Sequence, residues 1–172
     1  FRHHNNWVKL YGQPQLESLP PFPDPLRVNR IHEDQAATFG GIVATAFAWP
    51  PDLADWVAAT VGRPGWCHYL AFDADGPIAT GAVYARDGTA WLDFAATLPA
   101  HRGRGAQTVL LAHRIREAAG QGARWLSAEA AEDRPDHPSP SLHNMLRLGL
   151  HEAYRRPNYV RYRALDSAGD RG

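Results

Sequence analysis

Trp91-Leu-Asp-Phe-Ala-Ala-Thr-Leu-Pro-Ala-His-Arg-Gly-Arg-Gly-Ala-Gln-Thr-Val-Leu-Leu-Ala-His-Arg-Ile-Arg116 is the stretch that decides the fold. Its first part, Trp91 to Leu98, is apolar and β-prone and reads as a buried strand. Pro99 ends that run, because it lacks the backbone donor a central strand needs. The loop Ala100 to Gly105 carries Arg102, Gly103, Arg104 and Gly105. Beyond it, Val109, Leu110, Ala112, His113, Ile115 and Arg116 follow at helical spacing. A strand, a short Gly/Arg loop and a helix start together make an anion site. The first-turn amides have no partner inside the helix and lie at the positive end of its dipole. Glycines let backbone approach a ligand closely, and arginines add charge. A phosphate or pyrophosphate is the guest such a site predicts. An Arg/Gly surface turn before an ordinary helix accounts for the same residues more blandly.

Working outward from this stretch, the elements fall into a clear order. Trp66–Asp73, Pro77–Ala85 and Thr89–Leu98 are strands separated by Ala74-Asp75-Gly76 and Arg86-Asp87-Gly88, two hairpin turn signals. The helix after the Gly/Arg loop runs to about Ala119, before Gly120-Gln121-Gly122. Arg124–Ala130 follows as a strand, placed as in a β-α-β crossover. Ser141–Leu148 is a short helix stopped by Gly149, and His151–Leu165 holds one or two strands broken near Pro157. Upstream, Leu26–Ile31 is a short strand, Glu33–Ala48 a helix weakened by Gly40-Gly41, and Pro51 to about Val61 a second helix. A glycine pair inside a helix suggests a close approach by another element.

The chain's N-terminal part is set apart by composition. Phe1–Gly12 reads as a strand, and five prolines between Pro14 and Pro25 make the next stretch an extended linker. The expected division is therefore residues 1–24 as strand and linker, 25–165 as the domain, and 166–172 as a mobile tail. Asn6-Trp7-Val8-Lys9 loosely echoes Asn158-Tyr159-Val160-Arg161. One reading makes the first strand the remnant of a preceding, similar half; the other is chance likeness between two strands.

The central stretch and the order of elements resemble the GNAT-type N-acetyltransferases. Their pyrophosphate motif is Gln/Arg-x-x-Gly-x-Gly/Ala, and Arg102-Gly103-Arg104-Gly105-Ala106-Gln107 matches it except at Gln107. The resemblance implies an α/β (α+β) fold: a central mixed, mostly antiparallel sheet flanked by helices, with a splayed strand pair holding the CoA arm. It implies acetyl-CoA as cosubstrate, with the diphosphate on Arg102, Gly103, Arg104, Gly105, Ala106, Gln107 and Thr108. The pantetheine arm would bond the backbone of Ala95, Ala96 and Thr97, with the Asn144 amide close by. Asp93, the acid of the strand before the loop, is the candidate catalytic base. By strand alternation it shares a face with Ala95 and Thr97. Many family members place a tyrosine acid where Met145 stands, so that role is vacant or passes to Tyr154 or Tyr159. The acceptor pocket of the family points to Phe47, Trp49, Trp56, Trp66, Tyr69 and Tyr154, residues that core packing explains equally well.

Composition narrows the alternatives. A chain of 172 residues with 44% hydrophobic and 21% charged residues suits one ordinary globular domain. Its formal net charge of zero argues for no nucleic-acid or anionic-membrane partner. Cys67 is the sole cysteine, which excludes an intrachain disulfide and makes the cytoplasm the default setting. No apolar run approaches the roughly 18 residues of a membrane helix. The nine histidines show no metal spacing, so no metal cofactor is expected. The expected partners are acetyl-CoA and an unidentified amine acceptor, with a homodimer as a further candidate. The activity implied is acetyl transfer to a primary amine of a small molecule or peptide. A non-catalytic acyl-CoA-binding module for sensing or docking is the alternative.

Overall fold

A computed structural model describes residues 1–21 and 26–161. Seven strands form one sheet in the order β2-β3-β4-β5-β6-β1-β7. The strands are β1 (Arg2–Gly12), β2 (Arg27–Arg30), β3 (Trp66–Phe72), β4 (Pro77–Arg86), β5 (Thr89–Thr97), β6 (Trp125–Ala131) and β7 (His151–Val160). Among the described residues only the β5–β6 pair is parallel. Those two strands are joined through helix α3 (Ala106–Gly120), the expected crossover. Helices α1 (Ala36–Phe47) and α2 (Pro51–Ala58) cover one face, and α3 and α4 (Pro140–Arg147) cover the other. The mixed, mostly antiparallel sheet flanked by helices is the architecture the sequence implied.

Two apolar clusters hold the layers together. Leu110, Leu111 and Ile115 of α3 pack with Tyr69, Ile78 and Val83, and with Leu92, Leu126, Val8 and Leu10, so one core spans the sheet from β3 to β1. Phe39, Ile42 and Val43 of α1 pack with Val57 of α2 and with Leu70, Ala82, Phe94 and Ala96 on the opposite face. The glycine pair of α1 divides its labour. A Cβ on Gly40 would lie 2.2 Å from the Ala54 carbonyl oxygen of α2, whereas one on Gly41 would meet open space. Gly40 is thus the point where the two helices touch backbone to backbone.

Several sequence expectations need correction. His151–Val160 is one continuous strand through Pro157, without a break. It tolerates the proline because β7 is an edge strand, with only β1 beside it among the described residues. The described part of the proline-rich stretch, up to residue 21, is anchored to the domain. Leu16–Ser18 forms a 3-10 turn, Leu19 is buried in the α3-side core, and Arg116 of α3 donates to the Pro20 carbonyl at 2.9 Å. The first helix is also shorter at its start, because Glu33–Gln35 is a separate 3-10 turn. The tail after residue 161 and the segment 22–25 lie outside the described residues. Among those described, no helix is long and apolar enough to cross a membrane.

Candidate active site

The candidate site lies where β5 and β6 part. Their parallel register runs from Thr89↔Trp125 to Leu92↔Ala128 and ends there. Ala96 and Thr97 continue beside β4 alone, opposite Thr80 and Ala79. The divergence coincides with a bulge. The β4–β5 register slips between Ala82↔Asp93 and Thr80↔Ala96, so Phe94 and Ala95 stand against Gly81 alone. Phe94 takes φ of 48°, a left-handed conformation that costs an L-residue on the order of 1–2 kcal/mol. Hydrogen bonds to its own carbonyl and to that of Asp93 hold it there. The Thr80 hydroxyl donates to the Phe94 carbonyl at 2.8 Å. The buried Arg114 of α3 donates through Nη1 to the carbonyls of Asp93 at 3.1 Å and Ala82 at 3.4 Å, and through Nε to that of Leu110. Gly81 makes room for this guanidinium, since a Cβ there would sit 2.8 Å from the Arg114 Nε.

The bulge overturns the face assignment made by simple alternation. Ala90 and Leu92 belong to the α3-side core, but Phe94 and Ala96 belong to the α1-side core. Thr97 meets α3 through its hydroxyl. Asp93 therefore does not share a face with Ala95 and Thr97; it lies on the α1 side with Phe94. Burial pushes its carboxyl above the usual range, against the Phe94 amide and the charges of Arg114 and Lys9.

The predicted anion loop lies at the mouth of the fork. Gly103 and Gly105 have φ of 76° and 83°, and a Cβ at either would meet nothing within 4 Å. Gly105 caps α3 without any side-chain bond, so the amides of Ala106, Gln107 and Thr108 have no capping group. Arg102 is fixed by hydrogen bonds to the carbonyls of Ala46 at 2.9 Å and Thr97 at 3.4 Å. Arg104 is also exposed, 3.9 Å from Asp73. Asp73 also takes the His101 Nδ1 at 2.9 Å, which ties the loop to the β3–β4 turn. Desolvation would raise the Asp73 carboxyl, but the Asp75 amide, the His101 ring and the Gly76 amide together hold it below its usual range.

Gln107, the one departure from the loop motif, turns toward the sheet. Its Nε2 donates to the Ala96 carbonyl at 2.8 Å, the Thr97 hydroxyl at 3.0 Å and the Thr80 carbonyl at 3.3 Å. The longer side chain thus braces β5 against α3. Asn144 stands across the fork on α4, where its Oδ1 accepts from Arg147 at 2.6 Å and lies 3.5 Å from the Thr108 hydroxyl. Met145 is buried in the α3-side core. Tyr154 and Tyr159 are exposed on β7, separated from the fork by β1 and β6.

The α1 face of the fork is aromatic and charged. Trp66 lies 5.6 Å from Phe94 and 5.9 Å from Trp91, and Trp56 lies 6.1 Å from Phe94, ring centre to ring centre. Phe47 and Trp49 stack on each other at 5.1 Å. Tyr69, expected on this wall, faces α3 instead and packs edge-on against His113. At the crotch of the fork Lys9 of β1 is ion-paired with Glu129 of β6, its cross-strand partner. Both alternate away from Val8, Leu10, Ala128 and Ala130, which point into the α3-side core. They therefore share the face of Asp93, whose charge Lys9 feels.

Sequence reasoning missed Arg114, Lys9, Glu129, Trp91 and Phe94. Arg114 left a trace, as a charge one turn from Leu110 on an otherwise apolar helix face. Lys9 and Glu129 left none, since only the β1–β6 register brings them together. Among the described residues no group of His, Cys, Asp and Glu is arranged to hold a metal. A hollow of about 190 Å³ lined by Ala85, Asp87, Thr89 and Gln121 lies at the other end of β5, away from these groups.

No curated protein matches the chain. Solved structures share its fold. A GCN5-related N-acetyltransferase from Sphaerobacter thermophilus is 22% identical with a TM-score of 0.70, over 91% of this chain and 51% of that one. An acetyltransferase of the GNAT family from Colwellia psychrerythraea is 15% identical with a TM-score of 0.69, over 91% and 56%. A tandem GNAT protein from the clavulanic acid biosynthesis pathway is 16% identical with a TM-score of 0.64, over 89% and 51%. The chain thus spans little more than half the length of each. The family model for the acetyltransferase (GNAT) family matches residues 28–149, most of the chain, and by that match the protein belongs to the GNAT acetyltransferase family.

Proposed function

We propose that the protein transfers the acetyl group of acetyl-CoA to a primary amine of a small-molecule or peptide acceptor. The observation that carries this reading is the fork with an uncapped helix start at its mouth. Open glycines and amides without a capping side chain suit a diphosphate. In this reading the loop Arg102–Thr108 binds the diphosphate through the amides of Gly103, Gly105, Ala106, Gln107 and Thr108, with Arg104 adding charge. The backbone of Ala95, Ala96 and Thr97 bonds the pantetheine arm as a strand would, and Asn144 closes the opposite side. Bound there, acetyl-CoA supplies the activated acyl group. Asp93, raised in pKa and on the α1 face, accepts a proton from an amine arriving past Trp66, Trp91 and Phe94.

Calorimetry tests the binding half of this proposal. Gly105→Glu places a carboxylate at the uncapped helix start and should weaken acetyl-CoA binding at least about tenfold, roughly 1.4 kcal/mol. Gly105→Ala controls for backbone strain at positive φ and should lose much less. Equal affinity in wild type and a folded Gly105→Glu would remove the loop from the site. A second reading, a non-catalytic acyl-CoA-binding module, draws on Met145, buried where a tyrosine acid is usual, and on the distance of Tyr154 from the fork. Release of free CoA thiol in a broad amine and peptide screen separates the two.

A further inference from the structure

We propose that Lys9 is itself an acetyl acceptor, placed by β1 at the crotch of the β5–β6 fork and acetylated in cis from bound acetyl-CoA. The inference rests on the acetyl-CoA reading of the fork, and its argument is positional. The paired register of β5 and β6 ends at Leu92↔Ala128, so Asp93 and Glu129 are the first residues beyond it. Lys9 is directly opposite Glu129 on β1 and ion-paired with it, on the face of Asp93. Its side chain keeps 22% of its surface accessible. It is also the chain's only lysine. An arm laid along Ala95–Thr97 toward the crotch would bring its acyl end to the first side-chain amine on that face.

The surroundings suit the chemistry. Burial and the nearby Arg156 lower the Lys9 pKa, which favours the neutral amine, while Asp93 acts in the opposite sense and the paired Glu129 carboxylate stabilises the ammonium. The ammonium gives up one proton to the Glu129 carboxylate, which passes it to solvent. The Nζ lone pair then forms the amide C–N bond as the thioester C–S bond breaks and its electron pair leaves on sulfur. A second proton leaves nitrogen and one is taken up by the thiolate. One ammonium and one thioester thus give an acetamide, a thiol and a proton, with no change of oxidation state. The product is uncharged, so Glu129 and Asp93 lose their shared counter-ion.

Incubating the full chain with acetyl-CoA, without added acceptor, tests this by mass spectrometry. The expected result is one acetyl mass on the tryptic fragment 3–27, left uncut because trypsin does not cleave after acetyl-lysine. The rate constant should not depend on protein concentration, should fall at least about tenfold in Gly105→Glu, and the signal should vanish in Lys9→Arg. Acetylation equally fast in Gly105→Glu or in urea-unfolded protein would mean random chemical modification and would overturn the proposal. So would an unmodified Lys9 at saturating acetyl-CoA. Calorimetry on the same samples separates the two failures. Binding with Lys9 unmodified sinks this inference alone, and no binding sinks the acetyl-CoA reading with it.

Discussion

Asp93 and His68 are both perturbed by burial, with opposite consequences. The Asp93 carboxyl is raised, so the fold favours its protonated form and stability declines as pH rises through that value. Asp93→Asn should therefore melt no lower than wild type at neutral pH, while acetyl transfer falls sharply and loses its rise with pH. A variant with wild-type turnover across pH would exclude Asp93 as the base. His68 is buried between Trp66 and Phe39 with its Nε2 2.9 Å from the Thr60 hydroxyl. Desolvation lowers its pKa from 6.5 to about 4. A depressed histidine contributes stability above pH 6.5 that is lost as pH falls toward 4, by at most about 1.4 kcal/mol per pH unit. Denaturant titrations at pH 7 and pH 5 should show this loss, and His68→Gln should flatten it.

The α1–α2 contact gives an element-scale test. Gly40→Ala drives a methyl into the Ala54 carbonyl and should destabilise by about 1–3 kcal/mol as overpacking. Gly41→Ala, one residue on, should stabilise by about 0.5–1 kcal/mol through helix propensity alone. Thermal melts of the two variants should move in opposite directions. The close approach was legible in the glycine pair, though not which glycine made it, because that depends on the rotation of α1 against α2. Most elements were legible for similar local reasons: Asp-Gly turns between strands, Pro51 at a helix start, and Gly149 at an end. The bulge in β5 was not, because Phe94 carries no mark of a positive φ. Its cause is shared among Gly81 on β4, Thr80 beside it and Arg114 on α3. The strand, Gly/Arg loop and helix start could be read because they adjoin in sequence. The charged crotch could not, because Lys9 and Glu129 meet only through strand register.

For the whole molecule the decisive feature is β1, an interior strand between β6 and β7 contributed from the far side of a proline-rich stretch. Its amides should exchange with solvent as slowly as those of β5, which hydrogen-exchange mass spectrometry would show. Removing residues 1–12 leaves a gap between β6 and β7 and should make the protein insoluble or sharply lower its melting temperature. Adding the missing segment as a peptide should restore part of that loss. Full stability in the truncated chain would mean that β7 closes directly onto β6. The same placement has a consequence during synthesis. Of the described strands, β1 is made well before both of the strands that flank it in the finished sheet, residues 125–131 and 151–160. Until those emerge, Trp7-Val8-Lys9-Leu10-Tyr11 lacks both of its native partner strands, and the nascent chain carries an unpaired apolar strand through the synthesis of every element between β1 and β6.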